Sequence, residues 1–597
     1  MARRLLTIRA VVVLMFALIL GRLAQLQVIE GERHRRLADE NRIRVLRRLA
    51  ARGAIYDRNG EVLASSRPAF SISLVPEELD VVHRRDDLAA FASLLEMEPG
   101  AIEAALNNDA GPPRPPYEPI TVQRDASADT VARLEEHSVY LGGVNLLTDA
   151  VRQYPHGSLA AHVLGYVREI SPRELERPEY AGYRPRDLIG KAGVERVADR
   201  ALRGLDGGDQ VEVDARGRRI RTLGAVPPTP GRDVWLTLDL EIQRAAEEAL
   251  GGRAGAVVAM DPWTGGILAL ASHPTYDLNA FSGILSPEDW RRITGPGNPQ
   301  QNRAIAACYP PGSVFKVITA AAALERGVTS RQHRYHCPGA FWLGGWRLRC
   351  WKREGHGSLD FVRGFAQSCN VMFATLGRDA GPEALSEMAR RFGLGQPSGV
   401  DLPHEAVGLI PDPQWKRAAR KQPWYPGDTA QMAIGQGDCL VTPLQVARAY
   451  SVIANGGYLV RPHLIARIEG YEDYHPSPDA RPVGLRPETI AAIRDGMKAV
   501  VAPGGTAGRI ASADFPIAGK TGTAEAARGE PHAWFAGFAP ADQPRVVVVV
   551  VIEHAGAGSA AAAPVARHVL DATLLSPERR KPWIPPRPTI ASAPATE

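Results

Sequence analysis

No dense block of Lys or Arg occurs in this 597-residue chain, and its net charge is only +5. That excludes the electrostatic footprint of a nucleic-acid binder, although such a surface tolerates an anionic polymer or a membrane. No internal repeat is present, which speaks against a solenoid or array. Apolar content of 45% and charged content of 23% are ordinary for globular protein, and the length calls for two or more domains. Long apolar runs are also scarce near the N-terminus. Arg3, Arg4 and Arg9 precede Ala10 to Gly21, twelve uncharged and mostly apolar residues, before Arg22 interrupts. Twelve suits a signal-peptide core, whereas about twenty are needed to span a bilayer. No small-x-small cleavage site follows in Arg22-Leu23-Ala24-Gln25-Leu26-Gln27. The expectation is an uncleaved signal anchor over 10–30, with residues 1–9 inside and the rest outside; a cleaved secretory signal is the alternative.

Residues 30–50 are strongly charged and suit a stem. Arg52 to Ala64 places two β-prone runs around Asn59-Gly60, a hairpin signal. The stretch from 70 to 228 mixes short strands, charged helices and Pro/Gly turns without a nucleophile cluster, and reads as a non-catalytic pedestal over 31–228. Pro227, Pro228, Pro230 and Gly231 mark a linker. Beyond it, strand-like Val234 to Leu238, helix-like Leu240 to Leu250 and strand-like Ala256 to Met260 follow in turn. Arg545 to Glu553 reads as a fully buried strand and Ala561 to Leu575 as a last helix. This predicts an α/β (α+β) domain over 232–575 with helices around a sheet. The tail, 576–597, holds six Pro and is expected to be disordered.

Chemistry concentrates in three motifs. Tyr309-Pro310-Pro311-Gly312 leads into Ser313, at the expected start of a helix that stops at Gly327. Lys316 shares a helix face with Ser313, so the serine has a base beside it if burial lowers the lysine pKa. The bland alternative is a Ser cap and a solvated Lys. Ser368-Cys369-Asn370 comes next, and Lys520-Thr521-Gly522-Thr523 lies between apolar segments in strand-like context. There a Lys beside two hydroxyls makes a carboxylate-binding edge, and Gly522 lets a ligand approach the backbone; a simple edge strand is the alternative.

Five Cys occur, at 308, 337, 350, 369 and 439. Cys337, Cys350, His356 and Cys369 form a Cys3His set of the kind that holds structural zinc. A Cys337–Cys350 disulfide is an equally good reading of the residues alone. Cys308 and Cys439 stay open, and His532 reads as a packed surface histidine.

The order Ser-x-x-Lys, Ser-x-Asn, Lys-Thr-Gly resembles that of penicillin-binding proteins and serine β-lactamases. Arg52 to Gly60, Gly435-Gln436-Gly437, the anchor and the long pedestal resemble class B penicillin-binding proteins, and the resemblance covers residues 1 to 575. It implies a penicillin-binding/serine β-lactamase-like fold, with helices around an antiparallel sheet behind a dimerisation-type pedestal. It also implies a D,D-transpeptidase that cross-links peptidoglycan stem peptides ending in D-Ala-D-Ala. In such a site Ser313 is the nucleophile and Lys316 the base. Ser368 and Asn370 relay protons and hold substrate. Lys520, Thr521, Gly522 and Thr523 take the terminal carboxylate, and the N–H groups of Ser313 and Thr523 form the oxyanion hole. β-Lactam antibiotics acylate Ser313. Trp351-Lys352-Arg353-Glu354-Gly355-His356-Gly357 followed by Ser368-Cys369-Asn370 resembles the elongation branch, penicillin-binding protein 2, which carries one zinc beside its site. That favours one structural zinc over the disulfide, with Cys337 and Cys350 standing where that branch can carry Asp. The same resemblance implies the cell inner membrane, a periplasmic catalytic domain and a RodA-type glycosyltransferase partner in the elongation complex that maintains cell shape. A division-type transpeptidase, a D,D-carboxypeptidase, a β-lactamase and a scaffold that activates a glycosyltransferase are the rivals.

Overall fold

The computed structural model describes the chain apart from residues 1, 31–42, 77–83, 96, 107–118, 138–143, 214–218, 284, 472–479 and 578–597. Much of the charged stem expected over 30–50, and nearly all of the Pro-rich tail, therefore lie outside the described residues. Helix Ala2–Ala24 continues as a π-helical turn, Gln25–Ile29. Within it Arg9–Ile29 is long and apolar enough to cross a membrane, at 21 residues.

Two compact units interleave along the chain. The first comprises residues 1–52, 66–151 and 203–231. Strands Ile43–Arg48, Gly207–Val213 and Arg219–Val226 form an antiparallel sheet there. Ile72, Leu74, Phe91 and Val122 form part of a separate small core.

The second unit comprises 53–65, 152–202 and 232–597, so the Arg52–Ala64 hairpin segment falls almost entirely within it. Ile55 pairs with Ala64 and Tyr56 with Val62, around the turn at Asn59-Gly60. Buried Asp57 fixes that turn: Oδ1 accepts from the N–H groups of Asn59 at 2.7 Å and Glu61 at 2.9 Å. Its Oδ2 accepts from Leu240 N at 3.1 Å, tying the hairpin to the helix that follows the linker. Buried Arg152 donates to Glu195 Oε1 at 2.6 Å and to Gly53 O at 2.7 Å. Three stretches far apart in sequence thus meet at one ion pair.

Helix α1 (Leu240–Leu250) starts where Asp239 accepts from the N–H groups of Glu241 and Ile242, and ends at left-handed Gly251. Strands β1 (Gly255–Met260) and β2 (Ile267–His273) follow as a hairpin. Later come α2 (Lys316–Glu325), α3 (Asn370–Ala380), α4 (Pro426–Ala433), α5 (Pro443–Ala454) and α6 (Pro487–Val501). Strands β3 (Ala518–Ala524), β4 (His532–Ala539) and β5 (Val546–Ile552) complete an antiparallel sheet of order β2-β1-β5-β4-β3, and α7 (Gly558–Leu574) ends it. Every residue of β5 is buried, as six consecutive valines require of a central strand. Helices α1 and α7 pack together and on the sheet, while α5 packs on β1, β4 and β5. The α/β fold with helices around an antiparallel sheet is the one expected.

Candidate active site

Ser313 sits in a 3-10 turn, Gly312–Phe315, that runs directly into α2. Poor helix geometry at this start has a local cause. Gly312 has φ +54, and a Cβ there would fall 2.9 Å from Thr523 O on β3. Gly312 N donates to Gly435 O at 2.8 Å, and a Cβ on Gly435 would meet Gly312 O at 2.2 Å. The turn is therefore clamped between β3 and the Gly435-Gln436-Gly437 loop by close backbone approach. Three further bonds hold it. Trp534 Nε1 donates to Pro310 O at 3.1 Å, Tyr450 OH to Val314 O at 2.9 Å and Tyr309 OH to Glu553 Oε1 at 2.7 Å.

Lys316 is fully buried, one helical turn from Ser313. Its Nζ donates to Ser368 O at 2.8 Å and Asn370 Oδ1 at 2.7 Å, and lies 3.1 Å from Ser368 Oγ. Burial pushes its pKa down to about 8, against an opposing pull from Cys369 and Cys350. A neutral amine has two N–H groups and one lone pair. Two acceptor-only oxygens use both N–H groups, which leaves the lone pair for the 3.1 Å contact with the Ser368 hydroxyl.

Ser368 bridges to the third motif: Lys520 Nζ donates to its Oγ at 2.8 Å and to Thr521 O at 2.9 Å. Lys520 is fully buried, and burial followed by the neighbouring Lys316 charge holds its pKa well below the usual lysine value. On β3, Thr523 alone of this motif is exposed, while Thr521 is buried and shares a 2.7 Å hydroxyl contact with Thr506. Gly522 makes room: a Cβ there would lie 2.8 Å from Trp534 Cβ. The backbone at Ser368 is left-handed, φ +53, a conformation that costs a non-glycine residue energy and persists where surroundings over-determine it. The bend turns residues 368 and 370 to the lysines and 369 away.

Cys369 caps α3, its Sγ accepting from Met372 N at 3.5 Å. The ligand atoms of Cys337, Cys350, His356 and Cys369 all lie within 4.8 Å of one another. His356 Nδ1 is 3.5 Å from the Sγ of both Cys337 and Cys350. All five cysteines are free, so neither the Cys337–Cys350 disulfide nor a Cys308–Cys439 one forms. A hydrogen bond from Cys369 pulls the Cys350 thiol well down, while Cys369 is pushed up in return. His532 is half-buried and stacks edge-on to Tyr309 at 5.4 Å, beside the turn but not among the three motifs.

The three motifs, far apart in sequence, thus converge on Ser368. Residues 255–571 match the penicillin binding protein transpeptidase domain, and residues 47–236 match the penicillin-binding protein dimerisation domain. The chain is 36% identical to the peptidoglycan D,D-transpeptidase MrdA of Escherichia coli K12, across 94% of this chain and 93% of that one.

This chain is a class B penicillin-binding protein.

The Haemophilus influenzae MrdA is similar as well, at 34% identity over 96% of this chain and 91% of its own. Among solved structures, penicillin-binding protein 2 of Helicobacter pylori, in complex with MreC, superposes with a TM-score of 0.77 at 30% identity, covering 89% of this chain and 98% of that chain. Pseudomonas aeruginosa penicillin-binding protein 2, in complex with WCK 5153, gives 0.69 at 32% identity, covering 90% and 98%.

Sequence reasoning missed four groups in this penicillin-binding protein: Trp534, Tyr450, Glu553 and Thr506. Each holds the nucleophile turn or the Lys-Thr-Gly strand from a distant segment.

Proposed function

We propose that Ser313 is the acylated nucleophile of this peptidoglycan D,D-transpeptidase, which cross-links stem peptides during cell elongation. The burial and bonding of Lys316 carry the reading: its amine is held by Ser368 and Asn370, its pKa is near 8, and it lies one turn from Ser313. Ser313 Oγ attacks the carbonyl of the penultimate D-Ala as its proton passes to Lys316 Nζ. The terminal D-Ala leaves when its amine takes a proton, relayed by Ser368 Oγ, 3.1 Å from Lys316. Exposed Thr523 and the buried Lys520–Thr521 pair form the edge that takes the terminal carboxylate. The backbone N–H groups of Ser313 and Thr523 serve as the oxyanion hole. An amine of a second strand then resolves the ester. β-Lactams mimic D-Ala-D-Ala and stop at the acyl-Ser313 stage.

The Cys/His set suits one structural zinc. Tetrahedral Zn–S bonds of ~2.3 Å and Zn–N bonds of ~2.0 Å put sulfur and nitrogen roughly 3.5 Å apart. That is the separation of His356 Nδ1 from Cys337 and Cys350. Four protein ligands leave no open position, so such an ion would cross-link the segment carrying Ser368 and Asn370 and supply no water for hydrolysis.

Arg3 and Arg4 ahead of the apolar span and Arg9 at its start support a single-pass inner-membrane anchor with the catalytic domain in the periplasm. One similar structure is a peptidoglycan synthase complex that coordinates polymerisation and cross-linking, at 33% identity over 95% of this chain, with a TM-score of 0.71. That supports a RodA-type polymerase as partner.

Labelling the full chain with a fluorescent penicillin, followed by peptide mapping, tests the core reading. The adduct is expected on Ser313; an adduct elsewhere overturns it. Metal analysis with thiol titration tests the zinc, which absence of metal together with an oxidised Cys337–Cys350 pair would refute.

A further inference from the structure

The Ser313 turn and the Thr523 end of β3 lie against each other, since a Cβ on Gly312 would fall 2.9 Å from Thr523 O. Both supply N–H groups to the proposed oxyanion hole, so the gap between them bears on acylation. Both are also tied to one short segment outside the three motifs, Glu553-His554, where the chain leaves β5.

Glu553 holds the turn. Its N–H donates to Ala254 O at 2.8 Å, just before β1, which registers the carboxylate with the sheet. Oε1 accepts from Tyr309 OH at 2.7 Å and from Arg303 Nε at 2.9 Å. Arg303 is buried; its two Nη groups donate to Gly297 O at 2.6 Å and Asn298 O at 3.3 Å. Its backbone N–H donates to Ser272 Oγ on β2 at 2.9 Å. The acid therefore cannot swing away without leaving a buried guanidinium unpaired. Tyr309 and Val441 exchange two backbone bonds of 2.9 Å. Pro310 and Pro311 then lead to Gly312. Proline fixes φ, so a tilt at Tyr309 reaches Ser313 with little slack.

His554 holds the loop between β3 and β4. Its backbone is left-handed, φ +49, a conformation that costs a non-glycine residue energy and persists where surroundings over-determine it. Its backbone N–H donates to His532 Nδ1 at 3.3 Å, and its ring Nδ1 donates to Glu530 O at 3.0 Å. Gly556 N donates to Pro531 O at 2.9 Å. Residues 530–532 are thus pinned one after another to the exit of β5. His532 opens β4 and pairs with Ala524, the residue after Thr523. The two halves meet at His532, whose ring lies 5.4 Å from that of Tyr309 and 4.8 Å from that of His554.

We infer, on the reading of Ser313 as the nucleophile, that Glu553 and His554 are positioning residues for acylation. They set the gap between the Ser313 turn and the Thr523 end of β3. Glu553 acts through Tyr309, and His554 through residues 530–532. A shielded ion pair such as Arg303–Glu553 is near break-even for stability, so its yield is placement.

Stopped-flow acylation of the full chain in detergent by a penicillin separates the binding constant from the acylation rate. Tyr309→Phe removes one hydroxyl and keeps the ring contacts and the ion pair. Glu553→Leu removes the acceptor, whereas Glu553→Gln keeps one. His554→Gly keeps the left-handed backbone without the ring, whereas His554→Asn keeps an N–H donor. Tyr309→Phe, Glu553→Leu and His554→Gly are each expected to slow acylation roughly tenfold at an unchanged binding constant, as small misplacement of a reacting group does. Glu553→Gln and His554→Asn should recover most of the rate. Where Glu553→Leu does not fold, Tyr309→Phe decides for the turn. An unchanged rate in Tyr309→Phe overturns the role of Glu553, and one in His554→Gly overturns that of His554. A loss that lies wholly in the binding constant, or that the conservative variants do not recover, overturns both. An unaltered chain that gives no Ser313 adduct fails the nucleophile reading instead.

Discussion

Two buried polar clusters meet at residues 368–370, and they are satisfied in different ways. Around Ser368 and Asn370 the two lysine amines find oxygen acceptors supplied by the fold itself. Around Cys369 three sulfurs and one imidazole nitrogen converge, and they are mainly electron-pair donors. The buried Nε2 of His356 has no hydrogen-bond partner among the described residues. The lysine cluster closes on its own, whereas the cysteine cluster offers the Cys3His donor set that the proposed structural zinc would take. One backbone bend at Ser368 separates them, so the proposed proton relay and the proposed metal ligand share a tripeptide.

The sharpest way to break this comparison is Ser313→Ala. Penicillin labelling should vanish while bound metal, measured by elemental analysis, stays as in the unaltered chain. Lost metal would mean that the clusters are not independent in that direction.

The next effect is pH. Lys316 has a folded pKa near 8, below the usual lysine value, so its neutral form dominates only above that. The acylation rate should fall about tenfold per pH unit below pH 8 and level off above it, since only the neutral amine accepts the proton. Linkage has the same sign: the unfolded chain holds this proton longer, so stability rises with pH between about 8 and the ordinary lysine pKa. A stopped-flow acylation profile, with metal content checked at each pH, separates lysine titration from loss of ligands.

Cys350→Ala tests the proposed metal ligand set. It should remove the metal and slow acylation roughly 10–100-fold, the range seen when groups supporting a site are lost. Labelling should still map to Ser313. Unchanged acylation in a metal-free protein would show that the cysteine cluster does not position Ser368 and Asn370.

The smallest effect is expected from Thr506→Val, which removes the hydroxyl paired with Thr521. One neutral hydrogen bond is worth about 1 kcal/mol, so acylation should slow roughly fivefold, with metal and thermal midpoint nearly unchanged.

Much of the catalytic unit was legible because its signals are local. The helix-like run Leu240 to Leu250 is α1, the valine run marks β5, and Asn59-Gly60 marks its hairpin. The Cys3His set was legible as a set because only five cysteines exist. Residues 53–65 and 152–202 join the second unit through pairs such as Arg152–Glu195, which nothing within a few residues announces. Lys520 was legible as a binding lysine on an edge, but its complete burial against Ser368 was not. Side-chain depth depends on what packs over a strand, here α6, from another part of the chain.

By itself, then, the sequence determined which groups exist and which lie within one turn of each other: Ser313 with Lys316, Ser368 with Cys369 and Asn370. Helical and extended spacings set those relations without tertiary help. Only the tertiary structure decided that two lysines 204 residues apart share one serine hydroxyl. It also decided that Cys369 turns from that hydroxyl toward Cys337, Cys350 and His356. Such convergence depends on packing that excludes water, and it is that exclusion that lowers the Lys316 pKa, on which the proposed activation of Ser313 rests.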